Sequence, residues 1–241
     1  MTALLTYLQF HALFVVPVLV LLGLTTPYRL ASRRTVLTAT ALLAGLALVY
    51  TTPWDNYLIE RGVWWYGEGT VLVRWPNAPL GEYLFFLLQP FLVGLWLGRL
   101  QVDTTPSLRV PVGTRLVGLV AAALVGVAGL LLLGRPGGLY LGSLLAWGAP
   151  ILAIQWTFGW QFLVREWRTV AIGTLVPTLY LWLIDSVALA LDIWSLSDRH
   201  TLGVAIPVLN LPIEEAVFFL LTSLFVVQGI VLYVWVVDRW A

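Results

Sequence analysis

Long runs of apolar residues, separated by short polar segments, dominate the chain from end to end. A helix that crosses the hydrocarbon core of a bilayer needs roughly 17–25 mostly apolar residues. Seven runs reach that length: Ala3–Leu24, Thr35–Pro53, Leu80–Gly98, Gly113–Leu133, Leu139–Trp160, Ala171–Leu191 and Ile213–Val236. The pattern therefore predicts an all-α integral membrane protein with seven transmembrane helices.

Composition strengthens this prediction and narrows the chemistry. Of the 241 residues, 60% are hydrophobic and only 10% are charged, whereas a soluble domain carries about 25% charged residues. The chain has no cysteine, and its two histidines lie far apart in sequence, so thiolate and histidine metal sites are not expected. A net charge of +1 is too small to predict a nucleic-acid partner. The chain also lacks a dinucleotide-binding glycine motif, and no cofactor is expected.

The placement of arginine predicts the orientation in the cell membrane, because cytoplasmic loops carry an excess of basic residues. With seven spans, one side collects Arg29, Arg33, Arg34, Arg99, Arg109, Arg115, Arg165, Arg168 and Arg239. The other side has only Arg61, Arg74, Arg135 and Arg199. The N-terminus is therefore expected outside and the C-terminus in the cytoplasm.

Two connections, Trp54–Pro79 and Asp192–Pro212, are long and aromatic, and their surroundings resemble each other. Trp64 follows Asp55 at the same spacing as Trp194 follows Asp185, and each connection ends in a Pro-x-x-Glu motif that leads into Phe-Phe. Fixed spacing at matching places predicts an internal repeat. Chance similarity within an apolar sequence is the alternative.

The repeat predicts three parts of the chain. Residues 1–105 form the first three-helix repeat, residues 106–137 contain a connector helix, and residues 138–241 form the second repeat. A single connector helix makes the two repeats parallel. Parallel repeats are expected to share a site near an axis along the membrane normal.

The acidic residues of the repeated motifs are the candidate catalytic groups. They are Asp55 and Glu82 in the first half, and Asp185, Glu214 and Glu215 in the second. A single glutamate after a proline also suits the first turn of any helix, and an aspartate at a helix end can be an interfacial cap. Carboxyls within the membrane are nevertheless costly and usually functional, and a neutral carboxyl is a competent general acid.

Aromatic residues beside these acids have two interpretations. Trp54, Trp64, Trp65, Tyr66 and Trp194 can belong to the aromatic belts at the membrane surface. They can also line a pocket whose ring faces stabilise a developing cation.

Taken together, the motifs resemble the membrane-integral lycopene cyclase family of archaea, fungi and some actinobacteria. The resemblance lies in the paired Pro-x-x-Glu and Pro-x-Glu-Glu motifs with their Phe-Phe helices, in Thr52–Asn56 and in Gly62–Tyr66. It extends over nearly the full chain, which resembles the fused form of the two-subunit cyclases. Carried over by position, it implies catalysis by Glu82, Glu214 and Glu215, with Asp55 and Asp185 in support. The expected substrate-binding residues are Trp54, Asn56, Trp64, Trp65, Tyr66, Phe86, Trp194 and Phe219.

The implied activity is the redox-neutral cyclisation of the linear ends of lycopene to β-carotene through γ-carotene. The partners are then the carotenoid and the membrane lipids, and the oligomeric state is left open. We expect Glu215 to be the acid and either Glu82 or Glu214 to be the base. Gly81 stands where the second half has Glu214, so the two halves are not expected to have equal roles.

Three other classes of membrane protein fit parts of the pattern. A seven-helix retinal photoreceptor needs a lysine for its Schiff base, and the chain has none. A membrane polyprenyl transferase needs acid clusters that bind magnesium, for which Asn56 with Glu60 and Asp185 with Asp192 are weak candidates. A non-catalytic isoprenoid transporter is the third alternative, because parallel repeats with buried acids occur in transporters too.

Overall fold

The computed structural model describes residues 4–105 and 110–238. Within these residues seven helices are long and apolar enough to cross a membrane, so the prediction of an all-α protein with seven spans is confirmed. They are α1 (Tyr7–Thr25), α2 (Arg33–Glu60), α3 (Leu80–Leu97), α4 (Val112–Leu133), α5 (Leu139–Arg165), α6 (Trp167–Ala190) and α7 (Ile213–Val237). Ala3, Arg109 and Arg239, which the sequence predictions used, lie outside the described residues.

Helix α2 continues to Glu60, so the prediction that it ends at Pro53 is wrong. Proline lacks a backbone N–H, but membrane helices tolerate it where side chains satisfy nearby carbonyls. Pro53 removes the donor for the carbonyl of Val49, and the hydroxyl of the preceding Thr52 adds a hydrogen bond to the neighbouring carbonyl of Leu48 at 2.6 Å. As a result Asp55 is carried by a helix and not by a flexible connection.

Helices α5 and α6 are also longer than predicted. The segment after Trp160 stays helical to Arg165, and α6 already begins at Trp167. Glu166 alone separates them, with φ −90° and ψ 25°.

Helix α7 lies at the centre of the bundle and packs against α2, α3, α5 and α6. Helix α4 packs mainly on α5 and presents most of its remaining surface outward. Glycines allow this close packing: a Cβ on Gly129 would lie 2.6 Å from the backbone nitrogen of Ala146. Any larger residue at Gly129 would push the two helices apart.

The two long connections pair through short strands that the sequence did not predict. Strand β1 (Trp64–Tyr66) follows α2, β2 (Trp194–Leu196) follows α6, and the two pair antiparallel. The pairing is extended at both ends, by Gly67 N–H to the carbonyl of Ile193 at 3.2 Å and by Ser197 N–H to the carbonyl of Val63 at 2.9 Å. This ribbon ties together the ends of α2 and α6.

A second short hairpin, formed by β3 (Ala205–Ile206) and β4 (Leu211–Pro212), leads directly into α7. Pro79 and Pro212 directly precede α3 and α7, and acidic residues occupy the first turn of both helices. Proline at a helix start and acids at the positive end of the helix dipole favour these two starting points.

Candidate active site

Four carboxyl groups from four helices face one shared space. Glu82 and Glu215 lie in the first turns of α3 and α7, and Asp55 and Asp185 lie near the ends of α2 and α6. The space is a cavity of about 60 Å³, which we call the acid cavity. Its walls are Tyr7, Phe10, His11, Trp54, Asp55, Trp64, Glu82, Phe85, Tyr140, Leu181, Ile184, Asp185, Trp194, Glu215, Phe218 and Phe219.

A chain of hydrogen bonds from strand β1 reaches Glu82. The indole N–H of Trp64 donates to the hydroxyl of Tyr66 at 3.1 Å, and that hydroxyl donates to Oε1 of Glu82 at 2.7 Å. Burial, and after it the charge of Glu82, raises the pKa of Tyr66 well above its ordinary value. Tyr66 therefore keeps its proton and remains a donor to Glu82. The phenol of Tyr7 lies next to the same carboxyl.

Glu215 has a matching tyrosine from a different helix. Tyr140 lies in the first turn of α5, and its hydroxyl donates to Oε1 of Glu215 at 2.9 Å. The backbone N–H of Tyr140 donates to the carbonyl of His200, just as that of Tyr7 donates to the carbonyl of Thr70. Each of these tyrosines is thus fixed by the connection that precedes α7 or α3.

Asp55 and Asp185 are buried carboxyls with unpaired oxygens. Each residue is only 2% exposed. Among the described residues, Oδ2 of Asp55 and both carboxyl oxygens of Asp185 have no hydrogen-bond partner, and Trp194 lies beside Asp185 outside normal hydrogen-bond geometry. Buried unpaired carboxyls are costly and are therefore typical of functional sites.

Stacked aromatic rings form the apolar wall of the cavity. Trp54 stacks on Phe218, with centroids 6.0 Å apart and ring planes within 9°. Trp147 stacks on Trp54 as well, at 4.9 Å, and Trp64 lies 5.3 Å from Tyr140. Ring faces of this kind attract a cation most strongly where water is absent.

His11 lies in a segment of π-helix within α1, His11–Val15. Such segments occur frequently at functional sites. Its Nδ1 lies 2.9 Å from the carbonyl of Tyr7, and because a carbonyl can only accept, Nδ1 is the protonated nitrogen. Its Nε2 is buried and has no partner among the described residues.

Five of the predicted site residues do not line the acid cavity: Asn56, Trp65, Tyr66, Phe86 and Glu214. Tyr66 reaches it only through its hydrogen bond to Glu82. Oδ1 of Asn56 accepts hydrogen bonds from the backbone N–H groups of Asn77 and Ala78, at 2.9 and 3.0 Å. Trp65 is 50% exposed. Phe86 is buried on the next turn of α3 and faces a separate groove.

Glu214 is fully buried and lies outside the acid cavity, and its Oε2 has no partner among the described residues. Its Oε1 accepts a hydrogen bond from the backbone N–H of Leu202 at 2.7 Å, which holds the connection before α7. At the equivalent position of the first half, Gly81 lies under the ring of Tyr7, and a Cβ there would come within 2.3 Å of that ring. The halves differ here because one holds a glutamate and the other an aromatic ring.

Several residues that line the acid cavity were not predicted from the sequence, above all Tyr7, His11 and Tyr140. Tyr7 and Tyr140 start the first helix of each predicted repeat. Extending the repeat comparison to these helices would have found both tyrosines. Nothing in the spacing of the sequence marks His11.

An apolar groove adjoins the acid cavity on the lipid-facing side of the bundle. It has a volume of about 410 Å³ and lies between α2, α3, α5 and α7. We call it the lateral groove. Its walls are Leu43, Leu46, Ala47, Tyr50, Thr51, Phe85, Phe86, Gln89, Trp147, Pro150, Ile151, Ile154, Gln155, Phe218, Thr222, Phe225, Val226 and Gly229.

Known proteins that are similar to this chain have lycopene cyclase activity in their names. Lycopene beta-cyclases from two strains of Halobacterium salinarum are 46% identical to it over 235 residues, which cover 98% of both chains. The bifunctional lycopene cyclase/phytoene synthase of Gibberella fujikuroi is 34% identical over 232 residues, which cover 93% of this chain and 39% of that protein. No protein-family model and no solved structure matches the chain.

Proposed function

The chain belongs to the lycopene beta-cyclase family, and on that premise we propose that it closes β-ionone rings at the linear ends of lycopene. The product is β-carotene, formed through γ-carotene. The observation that carries this proposal is the acid cavity, which combines four carboxyls with stacked aromatic walls. Ring closure is an isomerisation, so its balance needs an acid and a base but no electron donor or acceptor.

The reaction begins when Glu215 donates a proton to the terminal double bond of the linear end. The tertiary carbocation that results is attacked by the next double bond, which forms the ring bond and moves the positive charge into the ring. Glu82 then removes a ring proton and leaves the new double bond. One proton is gained and one is lost, so the substrate and the product have the same composition.

Hydrogen bonding supports this division between acid and base. Glu82 accepts from Tyr66, which is itself held by Trp64, so donors surround the group that must carry negative charge. Glu215 has one phenol partner, Tyr140. Glu214 is the weaker candidate for the base, because its contact with the backbone keeps it outside the cavity.

The remaining predicted residues have supporting roles. Asp55 precedes Glu82 and Asp185 precedes Glu215 in the sequence, and both aspartates line the same cavity, where they set the protonation of Glu82 and Glu215. The faces of Trp54, Trp64 and Trp194 stabilise the carbocation. Walls that exclude water protect the cation from being trapped as an alcohol.

The bilayer supplies the substrate and surrounds the protein. Lycopene is a hydrocarbon and reaches the site from the lipid. The excess of arginine in and beside the α1–α2, α3–α4 and α5–α6 connections supports a cytoplasmic C-terminus and an N-terminus outside. The acid cavity then lies toward the outer side of the cell membrane.

Matched contacts support the internal repeat and the proposed division at residues 1–105, 106–137 and 138–241. The β1–β2 ribbon pairs Trp65 with Ser195 at its centre, and these are equivalent positions of the two motifs. The hydroxyl of Tyr50 donates to the carbonyl of Trp147 at 2.8 Å, and at the equivalent place Tyr180 donates to Phe14. Helix α4 is then the connector.

Two alternatives from other classes stay weaker. A metal-dependent prenyl transferase needs acids that converge on magnesium. Here Asp185 is buried while Asp192 and Glu60 are exposed. The described residues also hold no group of three or more histidine, aspartate or glutamate side chains that could bind a metal ion. A transporter needs the acids on a path across the membrane, whereas these lie together near the ribbon.

Expression in a lycopene-accumulating bacterium tests the proposed function. Chromatography of the pigments should reveal β-carotene with the wild-type chain and unchanged lycopene with Glu215→Gln. Glu68→Gln, at an exposed glutamate outside the cavity, is the matched control and should behave as wild type. Unchanged lycopene with the wild-type chain would refute the proposal. Activity of the purified protein that requires magnesium would favour prenyl-transfer chemistry.

A further inference from the structure

The lateral groove has no role in the proton chemistry, yet it opens beside the site. We propose that it binds the conjugated chain of the carotenoid, while one end of the same molecule is cyclised in the acid cavity. The inference rests on the proposed function and adds to it a binding site for a long linear polyene. Three features of the groove carry it: walls shared with the cavity, an opening to lipid, and a polar latch at the junction.

The groove and the acid cavity share part of their walls. Phe85 and Phe218 line both spaces. Trp147, which lines the groove, stacks at 4.9 Å on Trp54, which lines the cavity. Aromatic rings are therefore what separates the two spaces, and a linear end has to pass them to move from the groove into the cavity.

The groove is open to lipid because α2 and α5 both pack on α7 but lie apart from each other along most of their length. Leu46 of α2 and Ile154 of α5 stand at this opening and are 63% and 72% exposed. Its walls are almost wholly apolar. An apolar groove between helices that opens to the bilayer suits a hydrocarbon, since the occupant keeps an apolar environment throughout.

A pair of hydrogen bonds closes the gap between α2 and α5 at the junction. The hydroxyl of Tyr50 donates to the carbonyl of Trp147 at 2.8 Å, and the indole N–H of Trp147 donates back to the carbonyl of Tyr50 at 3.5 Å. The two rings lie 5.5 Å apart. This latch positions Trp147 against Trp54 and so fixes the width of the passage into the cavity.

The far side of the acid cavity is closed by the β1–β2 ribbon, which contributes Trp64 and Trp194 to its wall. A polyene that fills the groove therefore has only one end in the cavity, and its other end lies in the lipid. γ-Carotene must leave, turn around and bind again before its second ring closes. Free γ-carotene is expected to rise first and then fall during a time course with purified protein.

Filling the groove with a larger side chain is the direct test. Ala47→Trp places an indole in the groove, while Ala41→Trp makes the same change at an exposed position of α2 outside it. Ile154→Trp at the opening and Ile172→Trp on the exposed face of α6 form a second matched pair. The added indole takes up space that the polyene needs, and overpacking of this kind should lower lycopene conversion by roughly tenfold or more in the groove variants. The control variants should stay near wild type.

Binding is measured separately in a background that cannot turn over. Glu215→Gln protein purified from lycopene-producing cells should carry lycopene, read as polyene absorbance per protein. Adding Ala47→Trp should remove that pigment, and adding Ala41→Trp should not.

The outcomes separate the two claims. If wild-type protein leaves lycopene unchanged, the proposed function fails. If wild-type protein cyclises lycopene but both groove variants match their controls in conversion and in bound pigment, the groove is not the binding site. Folding of each variant is checked by gel filtration. If one groove variant does not fold, the other matched pair decides whether the groove binds the polyene. β-Carotene formed from the start without free γ-carotene would overturn the one-end geometry.

Discussion

Replacing Tyr140 with Phe removes a single hydroxyl from the acid cavity and leaves its ring in place. In the wild-type protein this hydroxyl donates to Oε1 of Glu215 at 2.9 Å, from a side chain that is fully enclosed. Glu215 becomes charged as it gives up its proton in the transition state, where a hydrogen bond to it contributes about 1.5–3 kcal/mol, and the substitution leaves one carboxyl oxygen without its donor. If this contact orients Glu215 in the transition state, the same energy corresponds to a fall in kcat of roughly 10- to 150-fold.

The assay is conversion of lycopene in proteoliposomes, with γ-carotene and β-carotene separated by chromatography. Tyr57→Phe is the matched control, because Tyr57 is an exposed tyrosine of α2 that bonds only Arg61 among the described hydrogen bonds. Tyr140→Phe should lower kcat with a smaller effect on KM, since the polyene is held elsewhere. Wild-type kcat in a correctly folded Tyr140→Phe protein would refute the role given to this contact.

Further predictions concern neighbouring residues. Glu215→Gln should lower conversion at least about a hundredfold, the usual size of a general-acid contribution; Glu214→Gln keeps an acceptor for Leu202 and should retain most activity in the same pigment assay. Trp54→Leu should reduce kcat by roughly tenfold through loss of a cation–π contact of about 1–2 kcal/mol, and wild-type kcat would contradict that role. Asn56→Ala leaves two backbone donors unpaired at about 1–3 kcal/mol each, so it should lower Tm clearly with little change in kcat.

The hydrophobic pattern was sufficient to predict the seven helices, because lipid exposure requires long uninterrupted apolar runs. It failed at the end of α2, where Pro53 suggests a stop but the helix continues through it to Glu60. It also could not reveal β1 and β2, since three-residue strands lie below the length at which an alternating pattern is visible. Pairing between connections far apart in sequence is a tertiary effect.

For the candidate site, repeated spacing identified the acids, and the structure brings Asp55, Glu82, Asp185 and Glu215 to one cavity. Sequence could not separate Glu214 from Glu215, because adjacent residues on a helix point about 100° apart and only the packing decides which one faces the cavity. His11 was missed because a lone buried histidine has no spacing signal, and its environment is set by other helices.

Hydrogen isotope transfer to the product is the most direct test of the central claim that a protein carboxyl starts ring closure. Purified protein is equilibrated in D₂O and mixed with a smaller amount of lycopene, so that each site turns over once, and the pigments are analysed by mass spectrometry. We expect the wild-type protein to form γ-carotene that carries one deuterium in its new ring. The Glu215→Gln protein should form no such product. Lycopene that stays linear, or a ring formed without deuterium, would contradict it.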